Sequence, residues 1–197
     1  PQRGSPVLFT APWLERYLSR TRPWQVVALW LPTAAALFWH GRALLGTGWA
    51  AAWAVSGLGA WTALEYALHR WLFHYPFDAR SPWQHDLGFL LHGIHHDYPY
   101  DADRLVMPPV LTAIIAAAVA LPLRWLAGHA RFFPIFAGLL AGYVWYDLAH
   151  FAAHHHRPRS RWGKLLQRHH LLHHFATPQR RFGVTSPLWD LLLGTLG

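Results

Sequence analysis

The 197-residue chain contains no cysteine, and it has few charged residues. Without thiols it can form no disulfide, no thiolate zinc site and no cysteine-ligated iron–sulfur cluster. Asp, Glu, Lys and Arg together make up 13% of the residues, which is about half the share usual in soluble domains. Hydrophobic residues make up 53%. This composition predicts a membrane protein rather than a soluble domain.

Acidic residues are the scarcer charged class, with nine against 17 basic residues and a formal net charge of +8. The basic residues cluster at 16–22, 157–168 and 180–181, next to apolar segments. Cytoplasmic loops of membrane proteins show this arrangement, whereas a nucleic-acid-binding protein would spread its basic residues over a soluble surface. We therefore expect both ends of the chain on the cytoplasmic face and no nucleic-acid partner.

Four apolar segments are candidate transmembrane helices, and no segment alternates as a strand would. They cover 24–39, 49–68, 110–126 and 132–151, with connecting turns expected at 40–48 and 128–131. Residues 1–23 combine apolar and basic side chains and are expected to form an interfacial segment. We predict an all-α integral membrane protein whose functional domain covers 24–197.

Sixteen histidines stand out against this background, and ten of them fall into four clusters. Each cluster lies at the predicted cytoplasmic face, where isolated polar groups beside hydrocarbon would be costly. Neutral imidazoles bind iron, zinc or copper, and ten exceed what one ion can use. The pattern predicts a centre of two metal ions, which can activate O₂ if it keeps open positions. The clustered residues are His69, His74, His92, His95, His96, His150, His154, His170, His173 and His174.

Two carboxylates stand at helical spacing from these histidines. Asp147 shares a helix face with His150 and His154, and Glu65 precedes His69 by one turn. Because a metal-bound imidazole usually donates its other N–H to such a group, both carboxylates are predicted to orient ligands. The alternative for each is a helix-end charge in solvent. The histidines expected to lie outside the centre are His40, His85, His129, His156 and His169.

The histidine motifs are HRWLFH from His69, HGIHH from His92, HFAAHH from His150 and HHLLHH from His169. With them the chain resembles the membrane-bound fatty acid hydroxylase superfamily over residues 65–197. RLVMPP from Arg104 and FGVTSP from Phe182 are similar to its fatty acid 2-hydroxylase branch. His155 matches the doubled histidine of the third motif, and its role stays open.

The resemblance implies four membrane helices under a cytosolic cap that carries the metal centre. It implies two iron ions held by the ten histidines, for which zinc could substitute in purified protein. It also implies O₂ as co-substrate and hydroxylation at C2 of a long-chain fatty acyl group of a membrane lipid. By this resemblance, eukaryotic relatives carry a fused cytochrome b5 domain, and we expect the 197 residues of this chain to have no room for one. We therefore expect a separate electron donor of the cytochrome b5, ferredoxin or reductase type.

Two other functions fit the same residues. The histidine motifs alone would also fit a sterol or carotenoid hydroxylase or desaturase of the same superfamily. A non-catalytic, histidine-rich membrane protein that binds or moves metal is the alternative from another class. A transporter would place its ligands near the middle of the membrane, whereas these histidines lie at the ends of the predicted spans.

Overall fold

The computed structural model describes residues 4–197, and it shows helices but no strand in that range. The predicted all-α fold is confirmed for these residues. The first three residues of the predicted interfacial segment lie outside the described range. The helices are α1 (Pro12–Leu14), α2 (Pro23–Leu45), α3 (Thr47–Ala67), α4 (Pro82–Gly88), α5 (Ile94–Asp97), α6 (Pro109–His155), α7 (Arg161–Phe175) and α8 (Leu188–Leu192). Three π-helical turns extend α1, α3 and α4, over Glu15–Ser19, Leu68–Phe73 and Phe89–Gly93.

Glycines in the left-handed region separate the long helical segments. Gly46 (φ 78°) divides α2 from α3, and Gly128 (φ 75°) bends α6 into two limbs. Glycine reaches this region at little steric cost, so it can reverse the chain in a single residue. Helix covers all four predicted ranges, but the turn predicted at 40–48 shrinks to Gly46. The helix continues through Gly41, which packs so closely on Pro134 that an added Cβ would lie 2.5 Å from its Cδ.

The outer surface of α6 is strongly apolar. Among the described residues, α6 is the one helix whose length and composition suit a membrane crossing, with a mean hydropathy of 2.0 over its most apolar window. Ile114, Leu121 and Trp125 on its first limb are 61%, 75% and 83% exposed. A core helix of a soluble protein would bury such side chains. Membrane crossing by α2 and α3 stays a prediction.

α3 and the second limb of α6 pack backbone to backbone. An added Cβ at Gly57 would lie 2.0 Å from the carbonyl oxygen of Ile135, and one at Gly138 would lie 2.0 Å from that of Ala54. Small residues permit this close approach, which is common between membrane helices. Further along the same contact, Trp61 meets Tyr143 edge to face, with ring centroids 5.8 Å apart. This packing brings the histidine-bearing ends of both helices to the same place.

Candidate metal centre

The π-helical turns place histidines that an α-helix would separate. His69 and His74 are five residues apart, which on an α-helix corresponds to about 140° around the axis. In the turn Leu68–Phe73 the amide of His74 instead donates to the carbonyl of His69 at 3.1 Å. Their ring centroids lie 5.0 Å apart. Such π-turns occur frequently at functional sites because they rotate side chains toward a common point.

Five histidines form a first cluster at the end of α3. Nε2 of His92 lies 3.1 Å from Nε2 of His69 and 3.1 Å from Nε2 of His96. Nε2 of His173 lies 3.1 Å from Nε2 of His74 and 3.2 Å from Nε2 of His96. One ring nitrogen from each of the five converges, all within 4.8 Å of one another. The first cluster consists of His69, His74, His92, His96 and His173.

The other five predicted histidines form a second cluster at the end of α6. Nε2 of His95 lies 2.8 Å from Nε2 of His150 and 2.9 Å from Nε2 of His174. Nε2 of His154 lies 2.9 Å from Nε2 of His170. These nitrogens also lie within 4.8 Å of one another. The second cluster consists of His95, His150, His154, His170 and His174.

The clusters do not follow the sequence motifs, because neighbouring histidines of one helix serve different clusters. On α5, His96 belongs to the first cluster and His95 to the second. On α7, His173 belongs to the first cluster, and His170 and His174 belong to the second. The clusters adjoin, since the rings of His96 and His174 stack with centroids 4.2 Å apart. The four sequence clusters are thus rearranged into two adjacent sites.

The imidazoles are held neutral. Burial and the neighbouring imidazole of His173 lower the pKa of His74 to about 3. Burial, His173 and His74 lower the pKa of His96 to about 2. At neutral pH these rings therefore carry no charge and keep a lone pair, as metal ligation requires.

The spacing of the donor atoms fits a bound cation. Nitrogen lone pairs that face each other at 2.8–3.2 Å repel unless a proton or a cation lies between them. A metal ion about 2.1 Å from each nitrogen separates ligands at right angles by about 3 Å. No carboxylate belongs to either group of converging donors in the described chain, so the ligand set is all nitrogen. Such a set suits iron, zinc or copper rather than magnesium or calcium.

The two carboxylates that were predicted to orient ligands are both buried. Contrary to the prediction, Glu65 does not accept a hydrogen bond from His69. Nδ1 of His69 donates to the carbonyl oxygen of Phe182 at 2.5 Å. The carboxylate of Glu65 instead accepts from the backbone amides of Val184 and Thr185, at 2.6 and 2.8 Å. The prediction for Glu65 was wrong in its partner because a backbone segment far along the chain occupies the position next to His69.

Asp147 lies one turn before His150, as predicted, and it is buried, with an exposed fraction of 1%. Its Oδ2 and Nδ1 of His154 are both without a hydrogen-bond partner in the described chain. Asp147 therefore does not orient His154 here, which corrects that part of the prediction. A role toward His150 stays a prediction.

Among the remaining histidines, His169 has a structural role that its sequence position did not predict. It lies outside both clusters, as expected, but it is 4% exposed and donates from Nε2 to the buried Asp190 at 3.0 Å. Its position next to His170 was the only sequence signal. His155 belongs to neither cluster and packs on Phe151, with ring centroids 4.5 Å apart. His85 is exposed beside Asp86. His40 and His129 belong to neither cluster and contact each other, with ring centroids 6.3 Å apart.

Two adjoining cavities lead to the clusters. The first is lined by apolar side chains of α3 and α6, including Leu64, Ile115, Val119 and Leu140. The second is lined by His92, His95 and His150, together with Leu8 and Leu18 from the N-terminal segment. Phe73, Met107 and Tyr146 line both cavities. The apolar cavity thus adjoins a second cavity, and that second cavity contacts three of the clustered histidines.

Comparison with known proteins agrees with this geometry. The family model for fatty acid hydroxylase matches residues 54–195. A dihydroceramide fatty acyl 2-hydroxylase of Arabidopsis thaliana is 39% identical over 184 residues, covering 91% of this chain and 76% of that protein. A ceramide very long chain fatty acid hydroxylase of Saccharomyces cerevisiae is 40% identical over 189 residues, covering 90% and 46%. The human fatty acid 2-hydroxylase is 32% identical over 199 residues, covering 91% and 54%.

A solved structure of Scs7p, in which only the hydroxylase domain is visible, superposes with a TM-score of 0.86. It is 38% identical, and the match covers 93% of this chain and 69% of that one. The chain thus spans about three quarters of the Arabidopsis relative but only about half of the yeast and human proteins. The histidine motifs that define the two clusters lie within the matched region. The chain belongs to the fatty acid hydroxylase family.

Proposed function

We propose that this protein is an O₂-dependent membrane hydroxylase that inserts a hydroxyl group at C2 of a long-chain fatty acyl group of a membrane lipid. The observation that carries the proposal is the pair of five-histidine clusters, contacted by a cavity that adjoins an apolar one. The relatives named above as fatty acid 2-hydroxylases and ceramide hydroxylases support the substrate class.

The two clusters hold one metal ion each in this proposal. The ligands are the ten histidines, whose neutral, all-nitrogen donor sets suit iron. Zinc, which the same sets also suit, can substitute in purified protein. Two bound irons would supply the reduction of O₂ that hydroxylation of an unactivated carbon requires. The protein keeps the imidazoles neutral through burial and fixes their rings by packing and hydrogen bonds.

The cavities support oxidation close to the carboxyl end of the acyl chain. The first cavity is apolar and suits methylene groups, each of which contributes about 0.8 kcal/mol when buried. The second reaches His95 and His150 and also includes polar groups of Ser19 and Arg104. An acyl chain lying in the first cavity, with its head in the second, would pass its first carbons beside the clusters.

The membrane arrangement follows the apolar helices. In this proposal α2, α3 and both limbs of α6 cross the membrane within a hydroxylase domain of residues 24–197. Residues 1–23 lie at the interface. The exposed apolar surface of α6 supports crossing by its first limb, and the second limb packs against α3 within the same bundle. The ends of α3 and α6 that carry the clusters lie on the cytoplasmic side, under the cap formed by α4, α5 and α7, because basic segments flank them.

A separate protein supplies the electrons in this proposal, with a cytochrome b5-, ferredoxin- or reductase-type centre. The outer face of α7 supports such an encounter, because Arg161, Lys164 and Arg168 are exposed there. The inner face of the same helix carries His170, His173 and His174. An acidic redox protein on the outer face would lie one helix away from both clusters.

Mass spectrometry of lipids from a host expressing the chain with an electron donor tests the proposal. We expect new 2-hydroxy fatty acyl groups that disappear in the His95→Ala variant. The His85→Ala variant is the matched control, since His85 is exposed and outside both clusters, and it should keep the product. Hydroxylated sterols or carotenoids without 2-hydroxy acids would overturn the substrate. Metal binding with no oxidised lipid would favour a non-catalytic metal-binding protein.

A further inference from the structure

Residues 180–185 run along the first cluster and present two backbone carbonyls to it. The carbonyl oxygen of Phe182 lies 2.5 Å from Nδ1 of His69, and that of Arg180 lies 2.7 Å from Nδ1 of His173. A carbonyl oxygen can only accept, so both Nδ1 atoms carry the proton. Nε2 of each ring therefore presents its lone pair to the other members of the cluster.

The backbone between these carbonyls has an uncommon conformation. Arg181 has φ of 63°, and it is the one described residue other than glycine with a positive φ. A residue with a Cβ is disfavoured in this region and stays there where its surroundings enforce it. The conformation occurs at the residue that separates the two carbonyls directed at imidazoles. This points to external contacts that hold the segment in place.

Two buried carboxylates from different helices supply those contacts. Glu65 of α3 accepts from the amides of Val184 and Thr185, and also from the Thr185 hydroxyl at 2.5 Å. Asp190 of α8 accepts from the amides of Phe182 and Gly183, each at 2.8 Å. The exposed fractions of Glu65 and Asp190 are 3% and 0%. Carboxylate hydrogen bonds of this kind are among the stronger ones in proteins.

Asp190 also ties the segment to the helix that carries ligands. His169 of α7 donates to its Oδ2 at 3.0 Å, and the Thr195 hydroxyl donates to its Oδ1 at 2.7 Å. Burial alone would raise the pKa of Asp190, but hydrogen bonds from His169, Thr195 and two backbone amides keep it below its ordinary value. The group is therefore an ionised acceptor at neutral pH.

In the described residues, no backbone carbonyl is hydrogen-bonded to an imidazole of the second cluster. Nδ1 atoms of four of its histidines are buried without a hydrogen-bond partner in the described part of the chain: His95, His154, His170 and His174. Their ring orientations rest on packing against other rings, such as the contact of His150 with His170 at a centroid distance of 4.5 Å. Backbone carbonyls thus orient two of the five imidazoles of the first cluster, whereas four of the five in the second have no such partner in the described residues.

We infer that Glu65 and Asp190 are positioning residues that hold 180–185 against the first cluster, so that this cluster retains its metal longer than the second does. The inference rests on the proposed pair of metal ions. Its physical reason is that imidazoles already fixed with Nε2 inward lose less freedom on binding a metal.

Metal release from the full chain in detergent tests the inference directly. The protein is loaded with Zn²⁺ and mixed with an excess of chelator, and released zinc is recorded over time by a chromogenic indicator. We expect two phases of about one equivalent each. The slow phase should disappear in His173→Ala, and the fast phase should disappear in His174→Ala, because these adjacent residues belong to different clusters.

The positioning role predicts a selective change in the slow phase. Asp190→Asn replaces one acceptor oxygen with an amide donor, which cannot accept from Gly183 or His169. The slow phase should become about tenfold faster, with the fast phase unchanged. Thr185→Val is a milder variant that removes one hydroxyl donor to Glu65 and keeps both amide donors, and it should accelerate the slow phase several-fold. Asp86→Asn is the control, because Asp86 has a side chain 73% exposed, and it should change neither phase.

The outcomes separate this inference from the proposed function. Release of two equivalents in a single phase, loss of the slow phase in His174→Ala, or equal acceleration of both phases in Thr185→Val would overturn the inference alone. Binding of less than one equivalent of zinc or iron by folded protein would overturn the dimetal centre, and the inference with it.

Discussion

The close contact between α3 and α6 makes Gly57 a sensitive position. In Gly57→Ala the new Cβ would lie 2.0 Å from the carbonyl oxygen of Ile135 and 2.9 Å from its carbonyl carbon. Ordinary contacts of a methyl group are longer than about 3.4 Å, so the two helices must separate by roughly an ångström. Both neighbouring atoms belong to the backbone, and no side-chain rotation can relieve the clash.

The expected cost is that of overpacking, about 1–3 kcal/mol. For a chain of this size 1 kcal/mol corresponds to roughly 2–4 °C in melting temperature, so the variant should melt roughly 2–12 °C lower. The separation also moves the end of α3, with His69, away from the end of α6, with His150. We therefore expect the metal content of Gly57→Ala to fall together with its stability.

The matched control is Gly59→Ala, two residues further along α3. An added Cβ at Gly59 meets nothing within 4 Å, and alanine costs less than glycine in a helix by up to about 1 kcal/mol. Thermal unfolding in detergent, followed by tryptophan fluorescence, together with elemental analysis of each variant, makes the comparison. Equal melting temperatures for the two variants, or a lower one for Gly59→Ala, would refute the helix contact described here.

Three further predictions concern the ends of the bundle. If the carboxylate of Asp147 orients the imidazole of His150, Asp147→Asn should lower metal affinity or hydroxylation by roughly 10–100-fold. Unchanged metal content and activity would exclude that role. Although burial alone would raise the pKa of Glu15, hydrogen bonds from the amides of Leu8 and Phe9 keep it below its ordinary value. The stability that Glu15 gives the N-terminal segment is thus fully present above the unfolded-state pKa of about 4.3 and is lost as the pH falls through the lower folded-state pKa. Limited proteolysis should detect this loss in the wild type, and Glu15→Gln should be cut faster at pH 7. Arg181→Gly should fold at least as well as the wild type because glycine tolerates the positive φ, whereas Arg181→Val should melt at a lower temperature.

Helix content and the identity of the clustered histidines could be predicted from local sequence. Apolar runs of spanning length predict long helices wherever they occur, and the turns follow from glycine. The ten histidines could be selected because motif spacing places each group near the end of a helix, and all ten converge in the structure. The grouping could not be predicted, since His95 and His96 are neighbours in sequence and point to different clusters.

The length of the connecting turns could be predicted only in part from the sequence. Residues 40–45 contain a histidine, a glycine and an arginine and were predicted to be a turn, yet they form the last turns of α2. Gly41 remains helical because Pro134, 93 positions later, packs against it. Local propensity predicted a break there, and a tertiary contact decided otherwise.

The orientation of the imidazoles is determined by tertiary contacts and could not be predicted from the sequence. Sequence spacing correctly placed Glu65 one turn before His69, but a hydrogen bond depends on which group occupies the adjacent volume. Residues 182–185, more than a hundred positions away, fill that volume and bind Glu65 and His69 at once. For the same reason, the position of His169 next to His170 did not reveal its partner, because Asp190 lies in another helix. Helical periodicity relates residues within a few turns, whereas contacts between distant segments are set by how the helices pack, and these contacts decided how the centre is held.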